Sequence, residues 1–290
     1  MTLGISRKTQ IEELKKEFDE LRVEKEALLG LIDEAEIAES VYNSNAIENS
    51  TLTLRETEKI LMEMEVSRDV SLREVFEAKN LARIIEYLRN KNNISELNEN
   101  FMLFLHKMLL ENIKSDIAGR FRNDNEYVRV GTHIGASPQK ISSLIKGLLL
   151  EYSSDNKTYF LDKISKFHLE FESTHQFNDG NGRIGRVIMN FQLACIGFPN
   201  VIVKNKEKLN YYFAFNEYNE SKKTKTMVDI VGKALTESLY KRLAYLKGLK
   251  IITLSDYAKK TKDKSSNLFN SAKRQSIPAF REKGVWKIGV

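Results

Sequence analysis

Cysteine, proline and long apolar runs are what this 290-residue chain has least of. Cys195 is the only cysteine, so no disulfide can form within the chain, which fits a reducing compartment. Its apolar neighbours predict a buried core thiol. Three prolines, with segments rich in Leu, Ile, Glu and Lys, predict a mainly helical protein. The most apolar stretch, Val187–Val203, is interrupted by Asn190, Gln192, Pro199 and Asn200 and cannot span a membrane. The N-terminus has no apolar signal core and reads polar and helical from Thr9, so the expectation is a cytoplasmic protein with no membrane partner. No Gly-x-x-x-x-Gly-Lys-Ser/Thr run occurs, which disfavours a P-loop kinase or ATPase.

Charge is present and unevenly placed. Residues 241–290 hold 13 Lys/Arg against 3 Asp/Glu, whereas the first 240 hold 33 against 37. The basic character therefore belongs to the C-terminal region. Residues 9–30 read as an amphipathic helix with Leu14, Phe18, Leu21 and Leu28 on its apolar face, packed on the body or on a second copy. A second helix is expected over 31–48, after Gly30, and Thr53–Glu56 reads as a capping box for the next. Helices are also expected over 71–90, 95–113, 208–218 and 226–249. His106, among Phe104, Leu105, Met108 and Leu109, reads as a core or half-buried histidine. Residues 119–138 change character: Tyr127, Val128 and Val130 favour strand, which predicts a β-hairpin flap between helices. The tail, with helices at Leu254–Thr261 and Ser266–Arg274 and then a turn and small wing around Trp286, reads as a helix-turn-helix. Two readings stand for its Lys273, Arg274, Arg281, Lys283 and Lys287: contact with DNA phosphates, or a basic docking surface that touches no nucleic acid.

Residues 175–186 read His-Gln-Phe-Asn-Asp-Gly-Asn-Gly-Arg-Ile-Gly-Arg. Apolar helical patterns precede them (Leu161, Ile164, Phe167, Phe171) and follow them (Val187–Cys195), so the stretch is a loop opening into a helix. Gly180 and Gly182 allow a tight turn and close approach to a ligand. Free amides at a helix N-terminus make an anion site. Arg183 and Arg186, three apart on one helix face, add cations for phosphate oxygens. Asp179 is a hard oxygen ligand suited to Mg²⁺, and His175 can exchange protons near neutral pH. Together these groups describe chemistry on a nucleotide's phosphate chain. His168, Glu172 and His175 lack His-Glu-x-x-His spacing and have no cysteine near, so zinc is not expected.

The stretch resembles the signature of the Fic family, His-x-Phe-x-(Asp/Glu)-Gly-Asn-Gly-Arg-x-x-Arg, at every fixed position. Gln176 stands where many members carry Pro, which bears on loop rigidity and on no reacting group. Upstream, Ser44-Asn-Ala-Ile-Glu48-Asn49 resembles the family's inhibitory motif (Ser/Thr)-x-x-x-Glu-(Gly/Asn), and residues 119–138 resemble its target-docking flap. The resemblance covers roughly residues 30–225. It implies a mainly α fold: a Fic-type helical core (61–249) with a β-hairpin flap, preceded by N-terminal helices that include an inhibitory one (1–60). A small winged helix-turn-helix-like module (250–290), of a kind seen after some Fic cores, follows.

The implied activity is transfer of AMP from ATP to a Ser, Thr or Tyr hydroxyl of a protein target or of the chain itself, with Mg²⁺ as cofactor and pyrophosphate leaving. In that scheme His175 takes the hydroxyl proton, Asp179 binds Mg²⁺, and Asn181 with the Gly180 and Gly182 amides stabilises the α-phosphate. Arg183 holds the β-phosphate, and Arg186 holds the γ-phosphate or Glu48. Tyr211 or Tyr212 contacts the adenine or packs in the core, and both readings stand. Ser44, Glu48 and Asn49 carry the inhibition. Three other functions remain open: removal of AMP from protein through the same pocket, transfer of another phosphate-containing group, which the intact anion site and inhibitory motif disfavour, and DNA-binding regulation through the tail with an idle catalytic unit. A homodimer is an expectation from the family.

Overall fold

The computed structural model describes residues 5–66, 69–90, 96–130, 133–261 and 264–290. Helix α1 (Ile5–Leu21) lies along α10 (Lys225–Leu246), and α2 (Glu26–Ile47) runs back towards α4 (Leu72–Arg89). The break between α1 and α2 falls at residues 22–25, where Glu24 is left-handed, and not at Gly30, which continues a helix. Gly costs a helix only about 1 kcal/mol. The reversal that lets α1 reach α10 while α2 reaches α4 outweighs it. After α2, Thr53 caps α3 (Leu54–Glu58) in the expected reciprocal box with Glu56. A π-helical turn (Lys59–Glu63), α4 and α5 (Glu99–Leu110) follow. The expectation for residue 95 lies outside the described residues.

Two apolar cores share one hairpin of helices, α7 (Phe160–Thr174) and α8 (Asn181–Cys195). Phe167, Phe171, Ile184, Val187, Ile188 and Phe191 face the first core, with α2, α4, α5 and α6 (Pro138–Ser154) around them. Leu161, Ile164, Leu169, Met189 and Leu193 face the second, with α1, α9 (Lys208–Ser221) and α10. A helix with apolar residues on both sides is held from both sides, so the loop joining α7 to α8 stands on a fixed base. Cys195 is exposed and not the expected core thiol, because it sits on the last turn of α8 beside exposed Ala194 and Ile196.

The flap is shorter in strand than its sequence indicates. Among its described residues only β1 (Arg129–Val130) and β2 (His133–Ile134) pair, antiparallel. Its base is held instead by Arg122, buried, which donates to the carbonyls of His175 (2.8 Å), Glu126 (2.7 Å) and Ala136 (2.6 Å).

Residues 251–289 form an antiparallel sheet in the order β3 (Ile251–Thr253), β5 (Val285–Gly289), β4 (Ala279–Glu282), with α11 (Leu254–Thr261) and α12 (Ser265–Arg274) against it. Trp286 lies in the core of this unit. Arg281 pairs with Glu237, Lys283 with Glu58 and Lys287 with Glu282, so three of the five cations considered for DNA are paired with carboxylates.

Arg242 is the largest fully buried side chain among the described residues. It reaches from α10 to Asp33 and, at 2.8 Å, to Glu36 on α2. Burial opposes the charge of Glu36, but Arg242 and Lys241 outweigh it and hold its carboxyl below the usual range. Removing one partner of a buried ionic cluster costs about 3–5 kcal/mol because the others keep their desolvated charge. Arg242→Ala should lose that much in a denaturant titration; a loss below about 1 kcal/mol would show that the cluster does not hold α2.

Candidate active site

The loop between α7 and α8 is shaped from below. His175 caps α7 in the left-handed conformation (φ 50°), and Gly180 (φ 83°) starts α8. The positive φ of Gly180 favours glycine, and a Cβ there would stand 2.8 Å from Leu109 Cδ2, which would have to shift. Phe177 is fully buried and stacked on His106, ring centroids 3.8 Å apart. Asn181 turns inward: its Oδ1 accepts from the Phe177 amide (2.9 Å) and its Nδ2 donates to the Phe177 carbonyl (2.8 Å). The side chain expected on a phosphate is therefore a clamp that closes the loop, leaving the backbone at residues 180–182 as the ligand-facing element.

His106 carries more than core packing. The Gly119 amide donates to its Nδ1 (3.0 Å), which leaves the proton on Nε2 to donate to the Asp179 carbonyl (3.1 Å). Burial, opposed by the Asp179 contacts, lowers its pKa from 6.5 to about 4. Nothing local in the sequence marks this bridge.

Arg186 is buried and fully engaged. Its Nε donates to Ser44 Oγ (3.0 Å), its Nη2 to the Ser44 carbonyl (2.9 Å) and to Glu48 Oε1 (2.8 Å), and its Nη1 to the Tyr211 hydroxyl (3.3 Å). Burial works against its charge, but Tyr211 and Glu48 raise its pKa above the ordinary value. Glu48, which ends α2, rests its carboxylate so close over Gly182 that a Cβ there would overlap it. An anion thus sits at the N-terminal turn of α8, where amides and dipole favour one. Asn49 is left-handed (φ 70°) and accepts from Lys208 Nζ (2.7 Å).

Arg183 is also buried; it pairs with Asp179 Oδ1 (2.7 Å) and Glu77 Oε1 (3.0 Å). Asp179 Oδ2 in turn accepts from Arg73 Nη2 (2.7 Å). Arg73 and Glu77, both on α4, escaped the sequence analysis because charges on an amphipathic helix read as its solvated face. Tyr211 is buried with its hydroxyl between His168 Nε2 (2.6 Å) and Arg186, so it supports the arginine from behind and does not line an open base pocket. Tyr212 donates to the Ile47 carbonyl (2.8 Å), tying α9 to the end of α2. Glu172 is half-buried beneath these groups, its Oε1 shut off from solvent; that desolvation, then the Glu48 charge, pushes its carboxyl up to about 8.

Among the described residues no three His, Cys, Asp or Glu side chains gather into a metal cage. Asp179 alone offers a hard carboxylate at the loop, a donor set that suits Mg²⁺, which commonly takes one or two carboxylates and completes its shell with substrate phosphates and water.

The buried His106 generates a pH dependence. The folded ring stays neutral to about pH 4, while the unfolded chain takes up a proton near 6.5. The unfolded state then binds more protons between those values, so stability falls as pH drops through that window. His106→Phe, which keeps the stack on Phe177, should remove about one proton of that slope in denaturant titrations from pH 4 to 6.5. An identical slope in both proteins would rule the bridge out.

Residues 96–193 match the Fic/DOC family. The chain is 30% identical over 207 residues to protein adenylyltransferase Fic of Aedes aegypti, covering 69% of this chain and 38% of that protein. It is 30% identical over 186 residues to protein adenylyltransferase fic-1 of Caenorhabditis elegans, covering 62% and 36%. The chain thus spans under two-fifths of the length of these curated relatives. In fold it is similar to a Fic domain containing signaling protein from Bacteroides thetaiotaomicron (TM-score 0.74, 24% identity, 82% of this chain and 97% of that one). It is likewise similar to a Fic family protein from Desulfovibrio desulfuricans (TM-score 0.68, 19% identity, 97% and 96%). With a mainly helical fold and a His175–Arg186 loop that both match, the chain belongs, through residues 96–193, to the Fic/DOC family.

Proposed function

We propose that the chain is a protein adenylyltransferase held inactive by its own Glu48. The observation that carries this reading is the Glu48 carboxylate at the first turn of α8, paired with Arg186 at 2.8 Å, where a nucleotide phosphate would lie. The relatives' names support the reaction class. In this reading residues 1–60 supply the inhibitory helix, 61–249 the catalytic core and 250–290 an appended module.

With Glu48 withdrawn, the triphosphate of ATP occupies the N-terminus of α8, its α-phosphate against the amides of residues 180–182. Arg183 holds the β-phosphate and Arg186 the γ-phosphate. When bound, Mg²⁺ would be held by Asp179 and would supply Lewis-acid stabilisation of the phosphate charge. The flap supplies backbone for a target segment. It passes directly over the base: a Cβ on Gly135 would stand 3.1 Å from His175 Cβ. The target's Ser, Thr or Tyr hydroxyl attacks the α-phosphorus, its proton passes to His175, and the bond to the β-phosphate oxygen breaks, releasing pyrophosphate. General-base help of this kind contributes about 10²–10⁴-fold.

The same geometry explains the inhibition. Arg186 cannot pair with Glu48 and with a γ-phosphate at once, and Glu48 fills the space above Gly182 that a phosphate needs. AMP removal from a modified protein uses the same pocket and requires Glu48 in place, so the sign of the Glu48 effect separates the two activities.

Wild type, Glu48→Gly, and Glu48→Gly with His175→Ala should be incubated with Mg²⁺ and ATP labelled at the α- or the γ-phosphate. The expected result is protein label from the α-phosphate alone, at least about tenfold stronger in Glu48→Gly and absent in the double variant. Equal labelling in wild type and Glu48→Gly would overturn the inhibitory role. Loss of AMP from a modified protein in wild type alone would assign the reverse reaction.

A further inference from the structure

Four side chains close a ring of alternating charge beside the α8 N-terminus. Arg73 Nη2 meets Asp179 Oδ2 at 2.7 Å, and Arg183 Nη2 meets Asp179 Oδ1 at 2.7 Å. On the far side Glu77 Oε1 stands 3.0 Å from both Arg73 Nε and Arg183 Nη1. Both oxygens of Asp179 are therefore occupied by guanidinium groups.

The ring is not equally fixed around its circumference. The side chains of Arg183 and Glu77 are 4% and 11% exposed, and the Asp179 backbone is pinned by His106. Arg73, on the first turn of α4, is 49% exposed. It is the member that solvent reaches, and it takes the outward oxygen of the carboxylate. A divalent cation approaching Asp179 from solvent meets Arg73 first. Two positive groups cannot share that oxygen at contact distance without strong repulsion. Burial holds Arg183 in place, so Arg73 is the one that must leave.

We propose that Arg73 is a positioning residue that competes with the divalent cation for Asp179, a second closure of the site independent of Glu48. This rests on the reading of Asp179 as the cation's ligand. Glu48 blocks the arginine end of the phosphate track, and Arg73 blocks the carboxylate end. When the cation and the nucleotide phosphates arrive together, Arg73 swings into solvent while Glu77 keeps Arg183 aligned. The ring thus prevents Asp179 from remaining an uncompensated carboxylate in the resting protein, at the cost of weaker cation capture.

Mn²⁺ alone, titrated into the full chain, tests this through paramagnetic broadening of the Gly180 and Gly182 amide signals. Arg73→Ala and Arg73→Gln should reach half-broadening at roughly fivefold lower Mn²⁺ than wild type, the size expected for losing a partly exposed charge-assisted pair and a nearby positive charge. Unchanged spectra elsewhere will show that the fold is intact, and Asp179→Asn should abolish the broadening. Midpoints within twofold of wild type, no localised broadening in Arg73→Ala, or broadening that survives Asp179→Asn would each overturn the inference. Failure of the transferase reading registers separately, as missing α-phosphate label in Glu48→Gly; failure of the Arg73 inference leaves that label intact.

Discussion

The structure around the loop depends on one constraint: two arginines buried at the N-terminus of a helix must find negative partners. The first turn of α8 already carries the positive end of the backbone dipole. Arg183 and Arg186, both buried, add two full charges within one helical turn. Leaving these unpaired would cost several kcal/mol each. The chain answers with carboxylates drawn from three distant elements: Glu48 from the end of α2, Glu77 from α4, and Asp179 from the loop itself. A site built to receive a polyanion is, in the resting protein, filled by side chains that imitate one.

The electrostatics below the loop follow from the same packing. Glu172 and His168 lie beneath Arg186, and both are pushed towards their neutral forms, Glu172 to about 8 and His168 to about 3, first by burial. The arginine therefore has a polar floor with little competing charge. Its ionic partner is chosen on the open side, where Glu48 retains a 34% exposed side chain. A buried cation whose one ionic partner faces solvent can exchange that partner for another anion.

How much of this was legible in the chain depends on range. The His175–Arg186 loop, the helix ending at Glu48 and the Thr53–Glu56 cap are local patterns, and a one-dimensional reading finds them. The stacking of Phe177 on His106 and the Arg73–Asp179 contact join residues many positions apart, 106 in the second case. Such pairs have no periodicity to betray them. Asn181 and Tyr211, the latter read as either an adenine contact or core packing, show the complementary limit. A motif fixes residue type and position, but the direction a side chain takes is settled by packing, and both turn inward here. Cys195 is exposed for a similar reason: an apolar neighbourhood in sequence says little about which side of a helix's last turn a residue occupies.

Helix α2 has the proportions of a lever. Its 22 residues make a rod about 33 Å long. Its middle is pinned: Asp33 and Glu36 grip Arg242, Lys241 joins Glu36 to Glu282, and Glu39 binds both Lys204 (2.6 Å) and the Lys283 amide (3.0 Å). Glu282 ends β4, and Lys283 lies in the turn between β4 and β5. The far end of the rod carries Ser44 and Glu48. That end is held as well, by Tyr212 on the Ile47 carbonyl and by Lys208 on Asn49. The C-terminal unit therefore bears on the same helix that ends at Glu48.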